Sequence, residues 1–213
     1  MKKFGRVHGS FAATVSTAML CLAASSGMSE AACAPAGNDE GQNIVCQDDT
    51  GGAPFDAGDG NDRVVIKEGK YDDSISGGKG DDTMIVKDGA KGSEFLGGDG
   101  DDRIVLEDGS KAELIDGENG NDTINLKGGK ADRVDGGNGN DRIVLDGAKV
   151  EKKIDGGKGR DTIILKDGKA AKIDGGDGND RIVLDGAKIE KKIDGGKGRD
   201  TIILKDGKAA KVD

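Results

Sequence analysis

The chain has 213 residues, a formal net charge of −9 and an apolar share of 33%, with 39 glycines, four Phe, one Tyr and no Trp. This composition excludes an ordinary aromatic-centred globular core, so any interior must be built from small aliphatic side chains. The acid excess repels nucleic acid and anionic lipid and favours cations as partners.

In chain order, residues 1–31 read as a secretory signal peptide. Lys2, Lys3 and Arg6 precede an apolar run from Phe11 to Ala24, and Ser29-Glu30-Ala31 supplies small residues at the cleavage positions. A transmembrane anchor is the alternative, but Ser and Thr interrupt the run and no stop-transfer segment follows, so no membrane span is expected after cleavage. The expected location is therefore secreted or at the cell surface. The single histidine, His8, leaves with the signal, which removes imidazole from any later chemistry. Residues 32–54 read as an N-terminal cap segment. Its Cys33 and Cys46 are expected to pair as a disulfide in an oxidising compartment, two free thiols being the alternative.

From residue 55 to residue 213 one unit recurs. A Gly-rich turn starts at Ala57, Gly77, Gly97, Gly117, Gly136, Gly156, Gly175 and Gly195, every 19 or 20 residues. A larger period of 39 residues overlies it, because residues 135–173 and 174–212 differ only at Asn138/Asp177, Val150/Ile189 and Ile173/Val212. After each turn comes a short aliphatic run such as Asp141-Arg142-Ile143-Val144-Leu145. By two-residue alternation, Ile143 and Leu145 and their equivalents face inward, and Val144 and its equivalents face outward as an exposed β-branched stripe. A second apolar column, Ile75, Phe95, Ile115, Val134, Ile154, Ile173 and Ile193, stands two places before each turn. These segments are too short, too β-branched and too rich in Gly for helices. Stacked at about 4.8 Å, eight such units predict an all-β parallel solenoid roughly 40 Å long. A second turn on the opposite edge is followed by lysines such as Lys130, Lys149, Lys169 and Lys188, read either as a cationic strip or as ordinary solubilising charge.

The turns Gly136-Gly137-Asn138-Gly139-Asn140-Asp141 and Gly97-Gly98-Asp99-Gly100-Asp101-Asp102 resemble the haemolysin-type calcium-binding (RTX) repeat, whose pattern is GGxGxD followed by any residue and a large aliphatic. The resemblance runs in phase through eight turns over residues 57–213. It implies a calcium cofactor, held between successive turns by backbone carbonyls and the sixth-place Asp. Calcium takes six to eight hard oxygens at about 2.3–2.6 Å, and glycine lets carbonyls approach a common point. The implied ligand column is Asp62, Asp82, Asp102, Asp122, Asp141, Asp161, Asp180 and Asp200.

Three features depart from that pattern. The turn recurs on one edge only, the export signal is N-terminal, and Lys79, Lys158 and Lys197 at the third place and Arg160 and Arg199 at the fifth stand where Asn and Asp are usual. Down the third place the residues alternate Asn138, Lys158, Asp177, Lys197, and after the strand they alternate Asp146, Lys166, Asp185, Lys205. Opposite charges then meet on neighbouring coils, worth about 0.2–1 kcal/mol each, and a coil slipped by one unit would set like on like. A Lys or Arg between two Asp columns can also stand in for metal. Asp102, Asp122 and Asp141 end three successive turns free of Lys and Arg, and the two intervals between them are expected to give the best sites; Asp62, Asp82, Asp161, Asp180 and Asp200 are expected to bind more weakly.

No enzyme is expected. Too few residues precede the first turn for a catalytic domain, the Gly strings lead into strands rather than helices, and no Gly-x-Ser-x-Gly elbow occurs. Ice binding is discounted because Arg63, Arg103, Arg142 and Arg181 interrupt the row of Thr83, Thr123, Thr162 and Thr201. The remaining readings are an exported calcium-binding module and an extracellular adhesin-like solenoid held by Asp/Lys ladders with little calcium. The chain stops at Val212-Asp213 where another turn is due, so self-association through an uncapped last coil, or continuation as an autotransporter-like passenger, is also expected.

Overall fold

The computed structural model describes Cys33, residues 41–47 and residues 54–213. The signal peptide expected at residues 1–31 lies outside the described residues, as does most of the cap segment. Within the latter, Cys33 and Cys46 are joined by a disulfide, and Asn43–Cys46 forms a strand that pairs with Arg63–Ile66.

The predicted solenoid is present. Among the described residues all regular structure is β, arranged as two nine-stranded sheets. The front sheet runs from Asn43–Cys46 through strands such as Arg103–Leu106, Arg142–Asp146 and Arg181–Asp185 to Thr201–Lys205. The back sheet runs from Phe55–Asp56 through strands such as Lys111–Asn119 and Lys149–Asp155 to Lys208–Ala209. Neighbouring strands are parallel and one coil apart, as in Ile143 beside Ile163 and Val134 beside Ile154.

The interior is the dry aliphatic ladder expected from alternation. Val64, Ile124, Ile143, Ile163 and Ile182 are fully buried, as are Ile66, Leu126, Leu145, Leu165 and Leu184 and, from the back sheet, Phe95, Ile115, Val134, Ile154, Ile173 and Ile193. A further inward column, Ala112, Ala131, Val150, Ala170, Ile189 and the partly buried Ala209, completes the back of the core. The outward stripe is less exposed than expected: Val144 and Ile164 are half-buried, and Val105 and Val183 are buried, at 6% and 8% exposure.

The alternation of 19- and 20-residue coils also has a local cause. Strand Lys130–Asp135 has six residues and its neighbour Lys149–Asp155 has seven, and the register shifts between Ala131/Val150 and Arg133/Lys153. The extra residue is taken up by a bulge on the outer face of the back sheet, which leaves the inward columns in line.

Candidate metal centre

The Gly-rich turns continue the ladder around the corner of the stack. Asn119, Asn138, Lys158, Asp177 and Lys197 bridge coil to coil, and each third-place N–H donates to the second-place carbonyl of the coil before, as in Lys158 to Gly137 at 2.8 Å. At the second place Gly98 has φ +118°, and a Cβ there would run into the Gly78 carbonyl. Backbone crowding therefore dictates glycine. The one exception is Glu118, at φ 70°. Its side chain lines an open groove of about 520 Å³ with Asp116, Asn119, Asp135, Asn138 and Lys158.

The residues around each turn alternate in direction, and this sorts the charges. Third- and fifth-place side chains point to solvent, whereas the sixth-place Asp points in. Asp62, Asp82, Asp102, Asp122, Asp141, Asp161 and Asp180 are all buried, at 3% exposure or less; Asp200 is half-buried. The sequence-derived column is thus one continuous row.

Each of these carboxylates uses its two oxygens differently. Oδ1 accepts the backbone N–H of the Asp one coil earlier: Asp82 N–H to Asp102 at 2.7 Å, Asp102 N–H to Asp122 at 2.8 Å, Asp122 N–H to Asp141 at 2.8 Å. Oδ2 of each Asp from Asp62 to Asp180 is buried with no hydrogen-bond partner. An orphaned carboxylate oxygen in a closed site is costly unless a cation or a proton meets it. Desolvation accordingly raises these groups, with neighbouring carboxylates adding to it and the backbone N–H opposing. Asp82 and Asp141 are pushed up to about 6, Asp102 and Asp161 to about 7, and Asp122 to about 8.

The space each Oδ2 faces is cradle-shaped. A Cβ on Gly97 would stand 2.5 Å from Asp102 Oδ2 and 2.6 Å from the Gly117 carbonyl oxygen; one on Gly77 would stand 2.5 Å from Asp82 Oδ2 and 2.6 Å from the Gly97 carbonyl oxygen. Two hard oxygens, one of them charged, bound a point that only the missing side chain keeps open. Among the described residues no three carboxylate, Cys or His side chains converge on one point, so carbonyls must supply most of the oxygens. This donor set fits calcium, which accepts carbonyl and carboxylate oxygens at such distances.

A match to the family model described as "RTX calcium-binding nonapeptide repeat" falls on these turns, with four copies over residues 69–90, 128–147 and 172–186. The turns ending in Asp82, Asp141 and Asp180 are thus matched as RTX calcium-binding repeats. No curated protein sequence matches it. Among solved structures it is similar to a hyperactive, Ca2+-dependent, β-helical antifreeze protein from an Antarctic bacterium, at 19% identity over 84% of this chain and 78% of that one, with a TM-score of 0.44.

One expectation about these RTX turns needs correction. Lys and Arg at the third and fifth places do not stand between the buried carboxylates: Lys79 pairs with Asp59 at 3.3 Å and Lys197 with Asp177 at 3.0 Å, within their own surface column. No ion pair among the described residues reaches the buried row. The reason is alternation, which puts third and sixth places on opposite sides of the chain. The charge pairing expected across coils is real at these two positions, but it is surface pairing.

Two further ladders had not been expected. At the fifth place, Asn and Asp side chains accept the next coil's N–H: Asp101 that of Asn121 at 2.7 Å, Asn121 that of Asn140 at 2.9 Å, Asn140 that of Arg160 at 2.9 Å. Arg160 has no acceptor to continue the series. One residue before the turn, Asp135, Asp155, Asp174 and Asp194 form a second acidic column, threaded by cations two residues upstream. Lys153 bridges Asp155 and Asp174, the latter at 3.0 Å, and Lys192 bridges Asp194 and Asp213 at 2.6 and 2.8 Å. Burial pulls Asp174 up, but Lys172 and Lys153 outweigh it and hold the carboxyl below its usual range.

Proposed function

We propose that the protein is exported and that calcium ions seat between its stacked coils, each meeting a buried Oδ2 and the first-place glycine carbonyl of the next coil. The observation that carries this reading is the unbroken row of orphaned Oδ2 atoms. Calcium would supply the compensating charge that makes the buried carboxylates compatible with folding. Asp102, Asp122 and Asp141 hold the tightest positions, because their turns carry Asp99, Asp101, Asn119 and Asn121 at the surface and no Lys or Arg; Asp62, Asp82, Asp161, Asp180 and Asp200 are the weaker positions. Export is supported by the N-terminal signal pattern and by the Cys33–Cys46 bond, which needs an oxidising compartment. Sites of the extracellular class fill at about 0.1–1 mM calcium, so folding would be completed outside the cell.

A second reading, an adhesin-like solenoid held by charge ladders alone, is favoured by Lys153 and Lys192, each of which already stitches its own coil to the next through a pair of Asp. Circular dichroism of residues 32–213 during a calcium titration from chelator, with magnesium as control, separates the two. β-structure gained only with calcium supports the first reading. A β-signal complete in chelator, with no change in melting temperature on adding calcium, overturns it in favour of the second.

A further inference from the structure

The net charge of −9 conceals a segregation that only the fold reveals. On the outward positions of the front sheet from Arg63 to Lys205 there are nine Lys or Arg and three Asp or Glu. The two outer faces differ in how these charges are used. On the back sheet several cations are tied to acids, Lys70 to Asp72 at 2.6 Å, Lys149 to Glu151 at 2.8 Å and Lys152 to Asp132 at 2.7 Å, besides the ladder through Lys153 and Lys192, while Lys91, Lys111 and Lys130 form no ion pair among the described residues. On the front sheet one ion pair occurs among the described residues, Lys87 with Glu107 at 2.7 Å. Arg63, Arg103, Arg142 and Arg181 are exposed and belong to none.

Their placement is regular. Arg142 lies beside Thr162, Thr162 beside Arg181, and Arg181 beside Thr201. Arginine therefore recurs on every second rung, about 9.6 Å along the stack, which is roughly the length of two sugar rings. On the other margin Lys127, Lys166 and Lys205 occupy the rungs that carry Thr. Between the margins runs the column of Val144 and Ile164, half-buried, and Val183, buried. The result is a straight track with an arginine column on one margin, Lys127, Lys166 and Lys205 alternating with Asp146 and Asp185 on the other, and an aliphatic floor broken at Asn125. No aromatic ring protrudes from it, so it lacks the amphipathic anchors with which proteins enter a bilayer interface.

We propose that this face docks a linear acidic polysaccharide bearing one anionic group per disaccharide, its carboxylates on the arginine column and its sugar C–H faces on the valine and isoleucine floor. Guanidinium suits such groups, since it meets a carboxylate with two parallel hydrogen bonds. The proposal does not rest on the calcium reading: each arginine follows a sixth-place Asp in sequence, but its side chain is exposed while that of the Asp is buried.

The test uses the full mature chain with calcium present, hyaluronate as the probe, dextran as the uncharged control and vesicles containing anionic lipid as the competing surface. Two triple variants remove equal charge from opposite faces: Arg103→Gln/Arg142→Gln/Arg181→Gln on the front, and Lys91→Gln/Lys111→Gln/Lys130→Gln on the back, whose lysines are exposed and unpaired among the described residues. Unchanged circular dichroism confirms that each variant folds. The expected result is salt-sensitive binding of hyaluronate, weakened at least tenfold by the front variant and less than twofold by the back one. Equal weakening by both variants, dextran bound as well as hyaluronate, no binding by the parent chain at low salt, or binding to vesicles but not to hyaluronate each overturns the proposal.

Discussion

Two acidic rows run along the same edge of the stack at the same spacing, and they are neutralised in opposite ways. The outer row, Asp135 to Asp194, is threaded by Arg133, Lys153, Lys172 and Lys192, each two residues upstream and on the same side of its strand. The inner row, Asp82 to Asp180, has backbone N–H groups on one oxygen and nothing on the other. The difference teaches that position on the pleat selects the counter-ion. A long flexible cation reaches a row that borders solvent, while a row turned inward admits only something small enough to enter between coils.

The largest expected effect comes from titrating the inner row without metal. Asp82, Asp102, Asp122, Asp141 and Asp161 are pushed up to about 6 to 8 in the folded state, above the unfolded value of 3.8, and Asp180 is raised as well. Between those limits the folded state holds more protons than the unfolded chain, so stability in chelator falls as pH rises from about 4 to about 8. Thermal melts in chelator across that range should show it, and saturating calcium should flatten the slope. A melting temperature in chelator that rises from pH 5 to pH 8 would break the contrast between the rows.

Next in size is Asp122→Asn. The amide keeps an oxygen to accept the Asp102 N–H, but removes the charge. In chelator at pH 8 the variant should melt higher than the parent, and the stabilisation gained at a calcium concentration of about 100 times Kd should fall by about 2.7 kcal/mol for each position lost. Calorimetric titration should show fewer ions bound.

Lys153→Met acts on the outer row. It leaves Asp155 and Asp174 without their shared cation and should cost at most about 1 kcal/mol, since the pair borders solvent. The calcium titration should be unchanged, whereas a lost calcium response would tie the two rows together. The smallest effect is Asn140→Ala, which removes the acceptor of the Arg160 N–H. About 0.5 kcal/mol is expected at that exposed position, read from urea midpoints.

The fold was legible because its signals repeat. Turn spacing set the coil length, and alternation placed Ile143 and Leu145 inward and Val144 outward, as found. The direction of Asp141 was legible as well, since it stands two places before a buried residue. What escaped was the pairing of side chains with backbone. That Asp102 Oδ1 accepts the Asp82 N–H, and that Asn121 takes the Asn140 N–H, depends on how closely coils approach at the corner, which the glycines set and no periodicity encodes. The same geometry kept Lys158 and Arg160 away from Asp161, a separation invisible when neighbours in sequence are taken as neighbours in space. The column through Ala112, Ala131, Val150, Ala170 and Ile189 was missed because alanine recurs between its larger members and gives little contrast in a hydrophobic pattern.

The relay of Asp N–H groups onto the next coil's Oδ1 has a mechanical consequence. Each rung is gripped by the one after it, through bonds that all lie along the stack axis. Tension applied at the two ends therefore loads one rung contact at a time, and the stack should yield by peeling. Each rupture frees a coil of 19 or 20 residues, on the order of 65 Å of extended chain. A single molecule drawn out in this way would give an evenly spaced sawtooth, with calcium setting the height of the teeth.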